Sequence, residues 1–254
     1  MTSTPSPFER RTLLRGATAA GLGALLGGSS AAATLARAAA TPSAAALPNA
    51  SALYGLAPKA LGGGCTLTPE STSGPFYFDT GLIRQDITEG KPGLPTFVFL
   101  QLVNVNNGCQ PIPNAVLDLW HCDALGAYSG YVSEGTEGQT FLRGIQLTDA
   151  NGIVMFQTIF PGLYQGRTTH FHLKARPTLS STQEITAQLY FDDLYAQVIN
   201  PSFSPYNANT VTPTYNNQDA IYVNGGGLET TMITFAQAGP PVFLITGIQI
   251  KVPM

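Results

Sequence analysis

The sequence predicts an all-β protein: a β-sandwich of short strands with long loops and little helix. Three observations carry this. The 254 residues include 27 glycines and 19 prolines, well above average usage and poorly compatible with long helices. Seven short runs rich in Val, Ile, Thr, Phe and Tyr lie between clusters of turn-forming residues, the spacing of a sandwich. Hydrophobic residues make up 44% of the chain and charged residues 11%. That is enough apolar material for one sizeable core and too little charge for a charge-driven disordered chain. A net charge of −3 excludes the basic surface that a nucleic-acid partner normally needs. A coiled coil is excluded by the density of Gly and Pro.

In chain order, Thr96–Val105 (TFVFLQLVNV) reads as the first strand and Ala115–His121 (AVLDLWH) as the second. Ile153–Ile159 is entered through the turn Asp149-Ala150-Asn151-Gly152. Thr169–Ala175, Ile185–Phe191, Thr230–Ala236 and Val242–Lys251 supply four more strands, and Asp192–Ile199 reads as a short helix. Strand order and register do not follow from one sequence.

The N-terminus reads as an address. Arg10-Arg11 precede a weakly apolar run, Gly16–Ala36, that is too rich in Gly, Ser and Thr for a permanent membrane anchor. Ala36-Arg37-Ala38 offers small residues for cleavage. Residues 1–38 thus look like a twin-arginine export signal, delivering the chain to the periplasm or outside the cell. Loss of Arg10, Arg11, Arg15, Arg37 and Glu9 with it takes the net charge from −3 to −6. Export should stop when both arginines become lysine; efficient export of that variant by the general secretory route would contradict the assignment. Residues 39–64, rich in Ala, Pro and Gly, read as a flexible lead-in, and residues 65–254 as one domain without internal repeats.

An oxidising destination permits a disulfide among the three cysteines. Cys65 and Cys109 sit in turn-like contexts, while Cys122 follows a strand and reads as buried. The favoured pair is therefore Cys65–Cys109, a loop closure contributing roughly 4 kcal/mol on the chain-entropy model. No Cys-x-x-Cys is present, which argues against a zinc-thiolate site.

His170-Phe171-His172 places two imidazoles on one face of a strand, close enough to grip one metal, with Phe171 and Leu173 facing the opposite way. The third histidine, His121, reads as structural. Nearby residues are Arg167, Lys174 and Arg176 rather than the further His, Asp or Glu of a typical zinc hydrolase. Tyrosines are conspicuous instead: Tyr128 and Tyr131 in Gly126-Ala127-Tyr128-Ser129-Gly130-Tyr131, and Tyr164 in Pro161-Gly162-Leu163-Tyr164. A phenol titrates near about 10, and a trivalent cation can displace that proton. Two phenolates, two neutral imidazoles and one hydroxide would balance a 3+ charge. The competing reading of the tyrosines is a rim of aromatics with polar tips.

Trp120–Tyr131, Phe141–Asp149, Gly152 with Thr158–Tyr164, and Gly166–His172 stand in one order. Upstream lie Leu67-Thr68-Pro69-Glu70 and Gly74-Pro75-Phe76-Tyr77. Together these blocks resemble the intradiol ring-cleavage dioxygenase family over about Cys65 to Phe191, most closely its secreted, single-domain branch. The resemblance implies one ferric ion per chain, held by Tyr128, Tyr164, His170 and His172. It places the family's active-site arginine at Arg167 and its glutamine at Gln188. Tyr131 is the alternative phenol, but the motif favours Tyr128. The implied substrates are a small catecholic molecule and O₂, and the implied product is a cis,cis-muconate-type diacid. Tyr164 would double as a local base, and Arg167 would stabilise developing negative charge. Pro75, Phe76 and Tyr77 are candidates for the pocket wall; packing of the lead-in across the sandwich is the competing reading.

Two departures from catechol and chlorocatechol members stand out: the helical dimerisation region they carry at the N-terminus is absent, and the Tyr164–His170 connection is shorter, implying a more open mouth. Two other function classes explain less of the sequence. One is a metal-free β-sandwich module that binds aromatic or carbohydrate polymers on a tyrosine platform. The other is a zinc or copper enzyme built on the same histidine pair.

Overall fold

A computed structural model describes residues 65–225 and 243–254, together with Leu53 and the backbone of Thr234–Phe235. The export segment 1–38 lies outside the described residues, as do the lead-in 39–64 apart from Leu53 and most of the strand expected over 230–236.

Among the described residues the strands form two sheets. The first is built on β1 (Pro95–Asn104), whose alternating pattern FVFLQLV supplies both faces. β5 (Ile153–Ile159) pairs antiparallel along most of one edge of β1, and β2 (Gln110–Pro111) pairs with its C-terminal end. β9 (Leu244–Val252) pairs with β1 in parallel, with β8 (Thr234–Phe235) beyond it. The second sheet is antiparallel throughout, in the order β4 (Arg143–Leu147), β3 (Val116–Trp120), β6 (His170–Arg176), β7 (Ile185–Tyr190).

Period-two alternation sorts the side chains. Val98, Leu100 and Leu102 of β1 meet Leu117 and Leu119 of β3 and Phe171, Leu173 and Ala175 of β6 in the core between the sheets. Phe97 and Phe99 face away and pack with Met155, Phe243, Ile245 and Leu53. In β3 and β6 both faces are buried, so a second layer covers the outer face of that sheet. The segment 71–79 provides it. The Ser71 N–H bonds the Thr186 carbonyl over β7, and the Tyr77 hydroxyl reaches Asp118 of β3.

Cys65 is disulfide-bonded to Cys109, with Cα atoms 5.8 Å apart, and Cys122 is a buried free thiol. The bond fastens the start of the domain to the turn after β1. Three elements were not expected from the sequence, the two-residue β2 among them. β4 lies inside Phe141–Asp149, where Arg143-Gly144 hides the strand pattern, and α2 (Ala220–Asn224) is capped by Asp219. The expected short helix is α1, running from Asp193 to Ser202 and capped by Asp192. Among the described residues, no helix is long and apolar enough to cross a membrane.

Candidate metal centre

Because Phe171 and Leu173 are fixed in the core, His170 and His172 point from β6 to its outer face. Their Nε2 atoms lie 3.1 Å apart, and the His172 Nε2 lies 3.2 Å from the Tyr128 hydroxyl. His170 Nδ1 donates to the Thr168 carbonyl at 2.6 Å. That bond fixes the tautomer, so the neutral ring presents a lone pair at Nε2. His172 stacks on Trp120 with centroids 5.0 Å apart and planes within 8°. Its Nδ1 is buried and makes no hydrogen bond.

The two tyrosines come from loops that touch. A Cβ at Gly162 would lie 2.2 Å from the Ala124 carbonyl oxygen. Gly126, at φ +93, would place one 2.4 Å from that of Leu163. Only glycine permits this approach, which brings the Tyr128 and Tyr164 rings edge to face at 5.8 Å. Phe76 stacks on Tyr128 at 4.6 Å and meets Tyr164 edge-on at 5.8 Å. Tyr131 is turned elsewhere, its hydroxyl donating to the Tyr77 carbonyl. His121 is likewise outside the cluster. Its nitrogens are engaged by the Cys122 carbonyl and the Thr158 hydroxyl.

The electrostatics favour neutral donors. Burial pushes His170 down to about 4, with Arg167 adding to the effect, and holds His172 well below the ordinary histidine range, with His170 adding to it. Burial also raises the phenols of Tyr128 and Tyr164. Among the described residues, no group of three or more His, Cys, Asp or Glu side chains is gathered to hold a metal. A cation gripped by the histidine pair would find the two phenol oxygens as its further donors, and phenols so raised favour a strongly charged cation.

Arg167 approaches from the loop before β6. Its Nε donates to Asp219 at 2.8 Å and its Nη2 to the Gln188 Oε1 at 2.5 Å. Gln188 stands opposite His172 in the β6–β7 register, and its amide donates to the Thr72 carbonyl. Pro75 lies exposed in the turn that carries Phe76 across the tyrosines. Tyr77 packs on Trp120 at 4.7 Å and bonds Asp118, with the Lys174 ammonium 3.8 Å from its ring centroid. Asp118, Asn216 and Asp219 were missed by sequence reasoning. An Asp before a short apolar run was the available signal for Asp219, as a helix cap; nothing local marks the other two.

The depressed imidazoles predict acid lability. A histidine held below its unfolded value contributes stability above about 6.5 that is lost as pH falls toward its folded value. His170, His172 and His121, the last pushed down to about 3 by burial, act together, each weakening the fold by up to about 1.4 kcal/mol per pH unit in that window. Asp118, raised to about 6 by burial, opposes them, since its penalty is relieved as pH falls from 6 toward 4. Three groups outweigh one, so the thermal midpoint of the metal-free protein should drop between pH 6.5 and 4.5. A constant or rising midpoint would contradict this.

The sequence matches a family described as Dioxygenase over residues 72–200, a stretch that contains the Tyr–His cluster, Arg167 and Gln188. An intradiol ring-cleavage dioxygenase from Tetranychus urticae superposes with TM-score 0.67 at 31% identity, covering 75% of this chain and 96% of that one. The dioxygenase domain of a dioxygenase–carbohydrate-binding fusion from the cellulolytic bacterium Streptomyces sp. SirexAA-E gives TM-score 0.52 at 27% identity, covering 74% and 99%. Catechol 1,2-dioxygenase from Acinetobacter baylyi is 29% identical over 102 residues, 38% of this chain and 32% of its own. The chain thus spans about a third of the length of the curated relatives it matches. With the matched family stretch covering half of the chain and the fold shared along nearly the whole Tetranychus urticae protein, this chain belongs to the intradiol ring-cleavage dioxygenases.

Proposed function

We propose that the protein is a non-haem Fe(III) dioxygenase that opens a catechol-type ring between its two hydroxylated carbons, yielding a cis,cis-muconate-type diacid. The observation that carries this is the donor set. Two buried imidazoles kept neutral stand 3.1 Å apart at Nε2, one of them, His172, lies 3.2 Å from the buried Tyr128 phenol, a second phenol ring lies beside it, and none of the four is a carboxylate. His172 Nδ1, without a partner, leaves Nε2 as that ring's functional nitrogen. The His170 Nε2 lone pair faces it at 3.1 Å, so one cation between the rings would be reached by both nitrogens.

Tyr128, Tyr164, His170 and His172 would hold the ion, which when bound supplies the Lewis acidity that activates a chelated catechol. The remaining work belongs to the side chains. Tyr164 is half-buried, so its oxygen, as the phenolate that a bound cation would leave, could take a catechol proton and pass it to water. Tyr128 is sealed and serves as a fixed donor. Arg167, anchored on two sides, holds a permanent positive charge toward the cluster where negative charge develops. Phe76 and Tyr77 wall the site against water.

A polymer-binding module would lay its tyrosines out as an accessible platform, whereas Tyr128 is 1% exposed. A zinc or copper site on the histidine pair leaves the two phenols without a role. The test is turnover of catechol under ¹⁸O₂. The expected product carries one labelled oxygen at each new carboxyl group. A product with a single labelled atom, an aldehyde from cleavage outside the diol, or no O₂ uptake by iron-loaded protein would overturn the reading.

A further inference from the structure

Asp219 lies beyond the family-matched stretch and 52 residues after Arg167, yet one of its oxygens faces the site. The side chain is 1% exposed. Its Oδ1 accepts the Ile221 and Tyr222 N–H groups, capping α2. Its Oδ2 accepts Arg167 Nε at 2.8 Å and the Thr168 N–H at 3.0 Å. Thr168 is the residue whose carbonyl fixes the His170 tautomer. Its hydroxyl donates to Asn216 at 2.7 Å, and Asn216 is tied in turn to the Phe191 carbonyl. A plain helix cap needs only the first oxygen and contributes about 1 kcal/mol; the second has no capping task. Burial would raise the carboxyl, but the Thr168 N–H, the Arg167 guanidinium and the Ile221 N–H outweigh it and hold the group below the ordinary carboxylate range.

We propose that Asp219 is a positioning residue: through its Oδ2 it aims the Arg167 guanidinium at the metal-binding face and holds the Thr168 peptide that orients His170. The inference rests on the dioxygenase reading and assigns that site a residue from the C-terminal segment. It differs from a capping role in what it couples. Removing the charge should act on turnover through Arg167, while loss of a cap lowers stability alone.

The experiment is a double-mutant cycle with Asp219→Asn, which keeps the shape and a capping oxygen, in the native and Arg167→Ala backgrounds. In the native background turnover should fall ten-fold or more. Iron per chain should be unchanged, and catechol affinity from anaerobic spectral titration should stay within about three-fold, a range well below the ten-fold that about 1.4 kcal/mol represents. In the Arg167→Ala background the same substitution acts through Thr168 alone and should change turnover by a clearly smaller factor. Equal factors in both backgrounds, or native turnover from Asp219→Asn, would overturn the inference. If Asp219→Asn does not fold, Asp219→Glu replaces it in the cycle, keeping the charge but displacing the guanidinium. Collapse of both variants would assign Asp219 to the fold alone. A readout independent of turnover is the ¹⁵N spectrum of the three imidazoles in metal-free protein. Native His170 should be the Nδ1–H tautomer, and Asp219→Asn should mix the forms. An unchanged spectrum would overturn the inference, whereas absence of iron or ring cleavage in the native protein would defeat only the dioxygenase reading.

Discussion

Tyr128→Phe should abolish the visible band and bound iron while leaving the fold intact. The substitution removes one oxygen from a side chain that is 1% exposed, and that oxygen's hydrogen-bond contact is His172 Nε2 at 3.2 Å. The ring remains, so its stacking on Phe76 survives. His172 Nε2 keeps its contact with His170 Nε2, so the loss should stay within the about 1–3 kcal/mol of one unmade buried hydrogen bond. His172→Ala should lose iron as well, but it also empties the space beside Trp120 and should cost stability through the cavity. Loss of a ligand should exceed the 10–100-fold in affinity that follows when only a ligand's hydrogen-bond partner is removed. Metal content, absorbance and thermal midpoint measured together decide this. Unchanged iron, spectrum and activity in both variants would remove Tyr128 and His172 from the centre.

Arg167→Lys should bind iron normally and turn over at least about ten-fold more slowly, equivalent to about 1.4 kcal/mol or more. Arginine satisfies Asp219 with Nε and Gln188 with Nη2; a lysine ammonium keeps the charge but cannot reproduce that planar fork. An exposed ion pair would make the change nearly silent, but Asp219 is 1% exposed and Arg167 14%. Arg167→Ala should slow turnover further and also lower stability by about 3–5 kcal/mol, because it strands a buried carboxylate. Steady-state rates on catechol, caffeate-like and protocatechuate-like substrates measure the effect. Native turnover from Arg167→Ala on every good substrate would return Arg167 to a structural role.

The legible part of the fold was the part written in period two. Ile153–Ile159 is rich in β-forming residues and follows the turn Asp149-Ala150-Asn151-Gly152; it became β5 with those bounds. Val116–Trp120 and His170–Arg176 were legible for the same reason, and with them the outward face of the histidine pair. β4 was not, because Gly144 interrupts its pattern. That glycine lies against Ile87, whose Cγ2 would be 2.5 Å from an added Cβ. The parallel pairing of β1 with β9 joins segments about 150 residues apart, and no local pattern encodes it.

Within the site, the four donors and Arg167 were named from motif blocks, since their chemistry sits in short ordered stretches. What holds them was hidden. The cover over the histidines, 71–79, has no periodicity, and its bonds run to Asp118 and Gln188, 41 and 116 residues away. Asp219 and Asn216 reach Thr168 across 51 and 48 residues. Single polar residues in loops carry no signal of such partners until the fold brings them together.

The central claim is that two tyrosines and two histidines of this chain hold ferric iron. The direct measurement is metal analysis of the purified protein together with its visible absorbance. The account predicts one iron per chain and the red-brown band of a ferric tyrosinate, which shifts when catechol is added without O₂. Colourless protein carrying zinc or copper, or iron present without that band, would contradict it.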